Sequence, residues 1–189
     1  MAASPRQPDT TDQPPKVAVL VATCNRPGLL AQRSLTAIQR QTRRPDYLVV
    51  VDDSDAPLRP DNRNIVNDLR LHGCRIVYLT NSRTQGASGA WNTGLDWLRR
   101  HAGDPRDVLV AMLDDDDEWE PEHLAVCTAA AISGPCDMVA ASINRITGTT
   151  PPRPQAPPDD LEAGLFLVGN PHIQGSNLFV RLSALLEAG

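Results

Sequence analysis

Val110-Ala111-Met112-Leu113-Asp114-Asp115-Asp116-Asp117-Glu118-Trp119 is the stretch of the sequence that decides the fold. The apolar run that leads into it, residues 108–113, is short and uncharged, which predicts a buried strand. Four carboxylates cannot follow that strand into a core, because unpaired buried charge costs too much free energy. The strand is therefore expected to deliver them to an opening at its carboxyl end, where open α/β sheets bind their ligands.

Two interpretations of the four aspartates stay open at this point. Like charges this close repel one another, and carboxylate oxygens are the ligands that Mg²⁺ and Mn²⁺ prefer, so the run can hold a cation that in turn binds a phosphate. Most runs of acids are instead solvated loops. The position directly after a buried strand favours the cation site.

The composition excludes several classes of protein. The 189 residues suggest one domain, and a net charge of −5 does not favour nucleic acid as a partner. Lys16 is the only lysine, which excludes a Walker A phosphate loop. The four cysteines lack Cys-x-x-Cys spacing, so reduced thiols in a cytoplasmic protein are expected. No apolar run reaches the roughly 18 residues of a membrane span, and residues 1–15 are predicted to form a disordered tail.

Strands and helices alternate along the chain, which predicts an α/β protein with a mainly parallel sheet flanked by helices. Strands are predicted at residues 17–22, 47–51, 75–79, 108–113, 137–145 and 177–180. Helices are predicted from an Asn25 cap and Pro27 to about residue 41, over residues 62–72, up to residue 101, from Pro121, and from a Ser183 cap. The proline-rich residues 151–158 form either a flap over the sheet or a linker.

A second apolar strand also ends in acids. Asp52 and Asp53 follow residues 47–51. Parallel strands place their carboxyl ends on one edge of a sheet, so both acids are expected to face the crevice of the four aspartates. A receiver domain presents acids in this way but needs a later lysine, which the chain lacks. The small residues 86–90 open a helix and allow either close packing or a close ligand; their spacing is not G-x-G-x-x-G.

Four motifs occur in an order and spacing that resemble the family 2 glycosyltransferases. They are Val19-Leu20-Val21-Ala22-Thr23-Cys24-Asn25-Arg26, Val49-Val50-Val51-Asp52-Asp53-Ser54, Gly86-x-x-x-Ala90-x-Asn92-x-Gly94 and Leu113-Asp114-Asp115-Asp116-Asp117-Glu118-Trp119. The resemblance covers residues 16–189 and implies the GT-A fold. Residues 16–145 would then form the nucleotide-sugar half of the domain, and residues 146–189 would begin the acceptor half.

The resemblance also implies a role for each matching residue. The nucleotide-sugar would be lined by Ala22, Thr23, Asn25, Arg26, Asp53, Gly86, Asn92, Asp114 and Asp115, with Asp53 accepting a hydrogen bond from the base, usually uracil. In the DXD motif, Asp115 would touch the ribose or the sugar and Asp116 would hold Mn²⁺ or Mg²⁺ against the diphosphate. Asp114 and Asp117 would either contact sugar hydroxyls or hold the ligand residues in place. The family often has Arg where this chain has Trp91, which puts one phosphate or ribose contact in doubt.

An inverting transferase also needs a general base for the acceptor hydroxyl. In the family this base follows the stretch that resembles residues 175–181, so it is expected beyond Gly189 and outside a truncated chain. His172 is the alternative, although a lone loop histidine is more often structural.

Two functions therefore stand side by side. The first is a metal-dependent, inverting transferase that moves a sugar, UDP-sugar favoured, to a glycan, lipid-linked or small-molecule hydroxyl, in the cytoplasm or peripheral to a membrane. The second is a truncated module that binds nucleotide-sugar without turnover. A nucleotidyltransferase is disfavoured, because the glycine-rich signature and the lysine near the first strand are missing.

Overall fold

The computed structural model describes residues 14–134, 136–146 and 152–189. Six of its strands form one central sheet, and two very short strands pair separately. In chain order the strands are β1 Lys16–Thr23, β2 Tyr47–Asp52, β3 Arg75–Thr80, β4 Val108–Asp114, β5 Met138–Ala140, β6 Ile143–Asn144, β7 Pro154–Gln155 and β8 Leu178–Arg181. The sheet order is β3-β2-β1-β4-β8-β5, so β1 and β4 lie at its centre.

Helices connect these strands and cover the sheet. They are α1 Pro27–Leu29, a π-helical turn Leu30–Ser34, α2 Leu35–Gln39, α3 Arg59–Asp68, α4 Ala87–His101, α5 His123–Ser133, α6 Leu165–Val168 and α7 Leu182–Ala188, with 3-10 turns at Pro105–Asp107 and Gly175–Asn177. None of the helices among the described residues combines the length and the apolar character needed to cross a membrane.

The sheet is parallel where the acids are. β1 pairs in parallel with both β2 and β4, and β2 pairs in parallel with β3. Within this register Ala22 lies opposite Asp114, and Thr23 lies opposite Asp52. The carboxyl ends of three neighbouring strands therefore meet at one edge, and the α/β prediction of a mainly parallel sheet is confirmed. β8 runs antiparallel to β4 and β5.

Alternate residues of the buried strands pack into two cores, because successive side chains of a strand point to opposite faces. One core joins Val19 and Val21 to helices α2, α3 and α5. The other joins Leu20 and Met112 to helices α4 and α7. A Cβ on Gly94 of α4 would lie 2.2 Å from the Leu20 side chain, so glycine permits α4 to lie close against the sheet.

Several predicted boundaries were wrong for local reasons. Arg26, not Asn25, is the residue that precedes the first helix, and Asn25 takes a positive φ of 56°. The predicted uniform helix contains a π-helical turn, where Ser34 Oγ donates to the Leu30 carbonyl and Thr36 Oγ1 donates to the Ala31 carbonyl. The Leu30 carbonyl also accepts the Leu35 amide, so the hydroxyl bond is additional to the π-helical backbone bond.

Other boundaries differ further along the chain. Helix α3 begins at Arg59, since Pro60 suits a first turn, and α5 begins at His123. The predicted strand over residues 137–145 breaks after Ala140, where the next amide, that of Ala141, bonds to the Asn177 carbonyl. Ser183 lies inside α7 and does not cap it. Residues 1–13 of the predicted tail and residues 147–151, which include the start of the proline-rich stretch, lie outside the described residues.

Candidate functional site

Asp115 is the best-anchored carboxylate at the end of β4. Its side chain is 0% exposed. Thr23 Oγ1 donates to Asp115 Oδ2 over 2.7 Å, and the Cys24 amide donates to the same oxygen over 3.3 Å. Arg26 Nη2 lies 2.6 Å from Asp115 Oδ1 as an ion pair. The carboxylate is thereby tied to the loop that follows β1, which brings the predicted residues Thr23, Arg26 and Asp115 together.

Asp116 faces solvent and shares the same arginine. Its side chain is 42% exposed, and its Oδ2 accepts a hydrogen bond of 2.7 Å from Arg26 Nη1. Arg33 Nη1 donates to the Asp116 main-chain oxygen over 2.8 Å. Since Arg33 fixes the backbone while the carboxylate stays at the surface, Asp116 can change its side-chain partner without moving the loop.

Negative charge accumulates at the end of β4. Burial, together with the charges of Asp117, Asp116 and Asp115, raises the pKa of Asp114 to about 6. Burial also raises the pKa of Asp115, against the opposing effects of the Thr23 hydrogen bond and the Arg26 charge. A carboxyl group whose pKa is raised by neighbouring carboxylates is stabilised by a nearby cation, so this cluster favours binding of positive charge.

A structural frame holds the acidic loop in place. The buried Trp119 donates from Nε1 to the Ser176 carbonyl over 2.7 Å, and Asp114 N donates to Ser176 Oγ over 3.0 Å. Gln41 accepts from Leu124 N and donates to the Glu120 carbonyl, which fixes the entry to α5. The loop therefore presents its carboxylates on a rigid support, as a ligand site requires.

The two acids after β2 differ in role, because consecutive residues point to opposite sides of the strand. Asp52 is fully buried and accepts hydrogen bonds from Ser54 N, Asn62 Nδ2 and the Tyr78 hydroxyl. The expectation that Asp52 faces the crevice was therefore wrong; it is a structural residue. Asp53 lies on the α4 side of the sheet.

Asp53 holds the loop before α4. It accepts from Gly86 N over 2.6 Å and from Asn81 Nδ2 over 2.8 Å. Gly86 has a φ of 117°, which favours glycine at this bond. Beside it, the Asn25 and Asp55 side chains form a reciprocal pair, with Asn25 Nδ2 donating to Asp55 and Asp55 N donating to Asn25 Oδ1.

A cleft of about 750 Å³ opens beside the acidic loop. Acids and arginines line it together, and Arg33 lies 3.9 Å from the Glu118 carboxylate. Its lining includes Arg33, Arg40, Asp117, Glu118, Asn144 and Arg145. The cleft has the volume of a small-molecule site and touches the predicted metal ligand Asp116.

The acids fit a divalent cation that arrives with a phosphate ligand. Across residues 14–134, 136–146 and 152–189, no three His, Cys, Asp or Glu side chains converge as a complete metal site. A cation bound to a nucleotide diphosphate needs only one or two protein carboxylates, because phosphate and water oxygens supply the rest. Asp116 is 42% exposed, and the pKa of the nearby Asp114 is raised to about 6. These two carboxylates can supply the one or two protein ligands that such a cation needs.

Among the described residues, Ala22, Asn92 and His172 add no side-chain bond to this cluster, although Ala22 lies opposite Asp114 in the sheet. Ala22 is buried beneath the cluster. Asn92 is half-buried on α4, and its side chain makes no hydrogen bond within the described part of the chain. His172 is exposed with a φ of 62°, and its carbonyl accepts a hydrogen bond from Asn177 Nδ2.

Sequence reasoning missed three residues that build the site. Asn81 follows β3 directly, so the rule that polar residues after parallel strands share an edge would have found it. Arg33 lies two helical turns after Arg26, a spacing that places both on one face. Ser176 carries no local signal, because its role depends on the antiparallel return of β8 beside β4.

Comparison with known proteins gives one family. A family model described as glycosyl transferase family 2 matches residues 18–186. The succinoglycan biosynthesis protein ExoW of Rhizobium meliloti (strain 1021) is 33% identical over 100 residues, which are 52% of this chain and 28% of ExoW.

Solved structures share the fold. The mannosyltransferase PcManGT from Pyrobaculum calidifontis, in complex with GDP-Man and Mn²⁺, matches with a TM-score of 0.63 and 21% identity, over 94% of this chain and 47% of PcManGT. S. aureus TarS in complex with UDP-GlcNAc matches with a TM-score of 0.62 and 19% identity, over 92% of this chain and 47% of TarS. The chain thus spans about half of these solved structures.

Proposed function

This chain belongs to glycosyl transferase family 2, and from that premise we propose that it binds a nucleotide-diphosphate sugar with Mn²⁺ or Mg²⁺ and transfers the sugar to an acceptor hydroxyl. The observation that carries the proposal is the meeting of Thr23, Arg26, Asp115 and Asp116 at the carboxyl end of β1 and β4. Two sequence-distant motifs of the predicted site thereby meet, and the bond from the Asp53 amide to the Thr23 carbonyl adds the Asp53 loop at the same sheet edge.

The donor's nucleotide is proposed to lie along the ends of β1 and β2. Asp53 accepts only one protein hydrogen bond on each oxygen, so a lone pair is left for a donor group of the base, and uracil is the favoured base. Asp115 would touch the ribose or the sugar, Asp114 and Asp117 the sugar hydroxyls, and Gly86 and Asn92 the border of the nucleotide. Ala22 would lie at the bottom of the nucleotide site, and Asn25 would lie at its edge.

Asp116 is the proposed protein ligand of the cation. When bound, a divalent cation stabilises the negative charge that develops on the leaving diphosphate. Asp115 and Thr23 hold the loop so that the Asp116 carboxylate stays at the opening. The Arg33 bond to the Asp116 carbonyl fixes the same backbone from the other side.

The acceptor is proposed to approach through the 750 Å³ cleft, on the side of residues 146–189. Residues 16–145 would form the nucleotide-sugar half of one GT-A domain. The transfer is proposed to invert the anomeric centre, with a base other than the donor-side acids; His172 is the candidate within the described residues. The acceptor class is a glycan, a lipid-linked glycan or a small molecule.

The cytoplasm is the proposed compartment. Cys24, Cys74, Cys127 and Cys136 are all free thiols, as a reducing compartment would keep them. Burial raises the pKa of both Cys74 and Cys127 to about 11, which makes them poor nucleophiles and favours a packing role.

Calorimetric titration of UDP, GDP and dTDP, each with Mn²⁺ and then with EDTA, tests the proposal. We expect UDP to bind with Mn²⁺ and to lose most of its affinity in EDTA. Binding of GDP alone would correct the base, and binding without sugar transfer to any acceptor would favour the binding module. Failure of all three nucleotides to bind with Mn²⁺ would contradict the proposed donor site.

A further inference from the structure

One arginine forms ion pairs with two carboxylates of the acidic cluster. The two terminal nitrogens of Arg26 reach two different carboxylates, with 2.6 Å from Nη2 to Asp115 Oδ1 and 2.7 Å from Nη1 to Asp116 Oδ2. The Arg26 side chain is 44% exposed, so it lies at the opening of the site. Arg26 therefore occupies one oxygen of the carboxylate that is proposed to bind the metal ion.

The two contacts differ in how easily they are released. Asp115 is buried and keeps its hydrogen bonds to Thr23 and Cys24, so its side chain is fixed. The Asp116 carboxylate is 42% exposed and has Arg26 as its only side-chain partner among the described residues. A guanidinium and a divalent cation repel each other and compete for the same oxygen, so both cannot bind Asp116 Oδ2 together.

We propose that Arg26 is the resident counter-ion of Asp116 and that it exchanges partners when the donor binds. The divalent cation takes Asp116 Oδ2, while Nη2 keeps its ion pair with the fixed Asp115. The released Nη1 then donates to the diphosphate that enters with the cation, since a guanidinium fork suits phosphate oxygens. This inference rests on the proposed donor site and assigns Arg26 as a residue that contacts the donor's diphosphate.

Two opposite effects on affinity follow from the exchange. Without nucleotide, Arg26 lowers the affinity of Asp116 for metal, because the cation must displace it. With nucleotide, the displaced guanidinium gains a phosphate partner. Arg26 thereby makes metal binding depend on nucleotide and nucleotide binding depend on metal, as thermodynamic linkage requires.

Mn²⁺ binding to the full chain, measured by electron paramagnetic resonance of the free ion, tests the exchange without any activity assay. In the absence of nucleotide, Arg26→Gln is expected to bind Mn²⁺ about 5- to 10-fold more tightly than the parent. Arg99→Gln is the matched control, since it removes the same charge from an exposed residue at the C-terminal end of α4, which pairs with Asp96 and not with the acidic cluster. It is expected to change the Mn²⁺ affinity by less than about twofold.

UDP binding in the presence of Mn²⁺ gives the second readout. Arg26→Gln is expected to weaken UDP binding about 5- to 10-fold, opposite in sign to its effect on Mn²⁺ alone. Arg26→Lys keeps the charge and reaches one carboxylate at a time, so its Mn²⁺ affinity should lie between those of the parent and Arg26→Gln. This second variant also covers the case in which Arg26→Gln fails to fold.

Failure of the inference and failure of the donor site give different results. If Asp116→Asn abolishes Mn²⁺ binding but Arg26→Gln binds no more tightly than Arg99→Gln, the exchange is overturned and the metal site stands. If Asp116→Asn leaves the Mn²⁺ affinity unchanged in both the parent and the Arg26→Gln background, the metal assignment itself is overturned.

Discussion

Two strand ends of this molecule look alike in sequence and differ in chemistry. Both β2 and β4 are apolar, buried and followed by acids. At the end of β2, Asp52 and Asp53 are satisfied by five donors from the protein, and no ion pair involves either acid within the described residues. At the end of β4, one arginine serves two carboxylates, and the pKa of Asp114 rises to about 6.

The difference shows that donors, not the number of acids, decide what an acidic strand end does. Neutral N–H and O–H donors hold a carboxylate in place and stabilise its charge, so it gains little from binding a cation. Carboxylates that face each other retain unbalanced charge, which a cation can neutralise. The β2 end therefore shapes the site, and the β4 end is the part that attracts metal.

The largest effect on folding is expected from Asp52→Ala. The substitution leaves Ser54 N, Asn62 Nδ2 and the Tyr78 hydroxyl without their shared acceptor in a buried site. The free energy of unfolding should fall by about 3 kcal/mol, measured by urea denaturation. Asp52→Asn keeps one acceptor oxygen and should lose less. A loss below about 0.5 kcal/mol for Asp52→Ala would show that the β2 end is not a structural support.

A smaller loss is expected from Asp53→Ala. It removes the acceptor of Gly86 N and Asn81 Nδ2 at a half-buried position, which should cost about 1–2 kcal/mol. UDP binding should weaken both with Mn²⁺ and with EDTA, because the loop before α4 loosens. The exposed Asp55 supplies the control, Asp55→Ala, with an expected cost below about 0.5 kcal/mol. Selective loss of the Mn²⁺-dependent part of UDP binding would instead place the metal near Asp53.

Asp114→Asn is expected to stabilise the metal-free protein at neutral pH. The pKa of Asp114 is raised from 3.8 to about 6 in the folded protein. Between pH 4 and pH 6 the folded state therefore holds a proton on Asp114 that the unfolded state has lost. Stability from this group is therefore present below pH 4 and is lost as the pH rises to 6. At pH 7.5 the substitution should add about 1 kcal/mol, a value reduced for partial solvent exposure.

Thermal unfolding of the parent and Asp114→Asn at pH 4.5 and 7.5 measures this gain, which should shrink at the lower pH. Burial lowers the pKa of His123 to about 4, and this group destabilises the fold as the pH falls below 6.5, so only the difference between variant and parent is informative. Asp159→Asn changes an exposed acid and serves as control. An equal gain at both pH values would contradict charge repulsion at the β4 end.

The smallest effect on folding is expected from Asp116→Asn. Its carboxylate is exposed and loses one ion pair with Arg26, so the free energy of unfolding should change by less than about 1 kcal/mol. Urea denaturation again gives the value. A loss as large as that of Asp52→Ala would mean that Asp116 is part of the structural frame and not a free ligand.

The sequence predicted the parallel core because buried strands carry their own signal. Residues 108–113 and 17–22 are apolar without interruption. The strands observed there extend at most one residue beyond the prediction at each end. The rule that parallel strand ends share an edge also holds for β1 and β4, where Thr23 donates to Asp115. It could not separate Asp52 from Asp53, because which of two consecutive acids faces inward depends on where the strand ends.

Contacts between residues far apart in the chain could not be predicted from the sequence pattern. Ser176 reaches Asp114 only because β8 runs back along β4, and no local pattern encodes that pairing. The π-helical turn at Leu30–Ser34 leaves no mark in the apolar pattern from which the helix was predicted. The competition of Arg26 with metal likewise required the geometry of two carboxylates around one guanidinium.

Calorimetric titration of UDP with Mn²⁺ into the parent, Asp116→Asn and Asp55→Asn tests the central claim most directly. If the β4 end binds the metal, Asp116→Asn should lose about 100-fold in Mn²⁺-dependent UDP affinity, while Asp55→Asn stays near the parent. UDP affinity in EDTA should be the same for all three proteins. Unchanged Mn²⁺-dependent affinity in a folded Asp116→Asn protein would contradict the account and return the four aspartates to the status of a solvated loop.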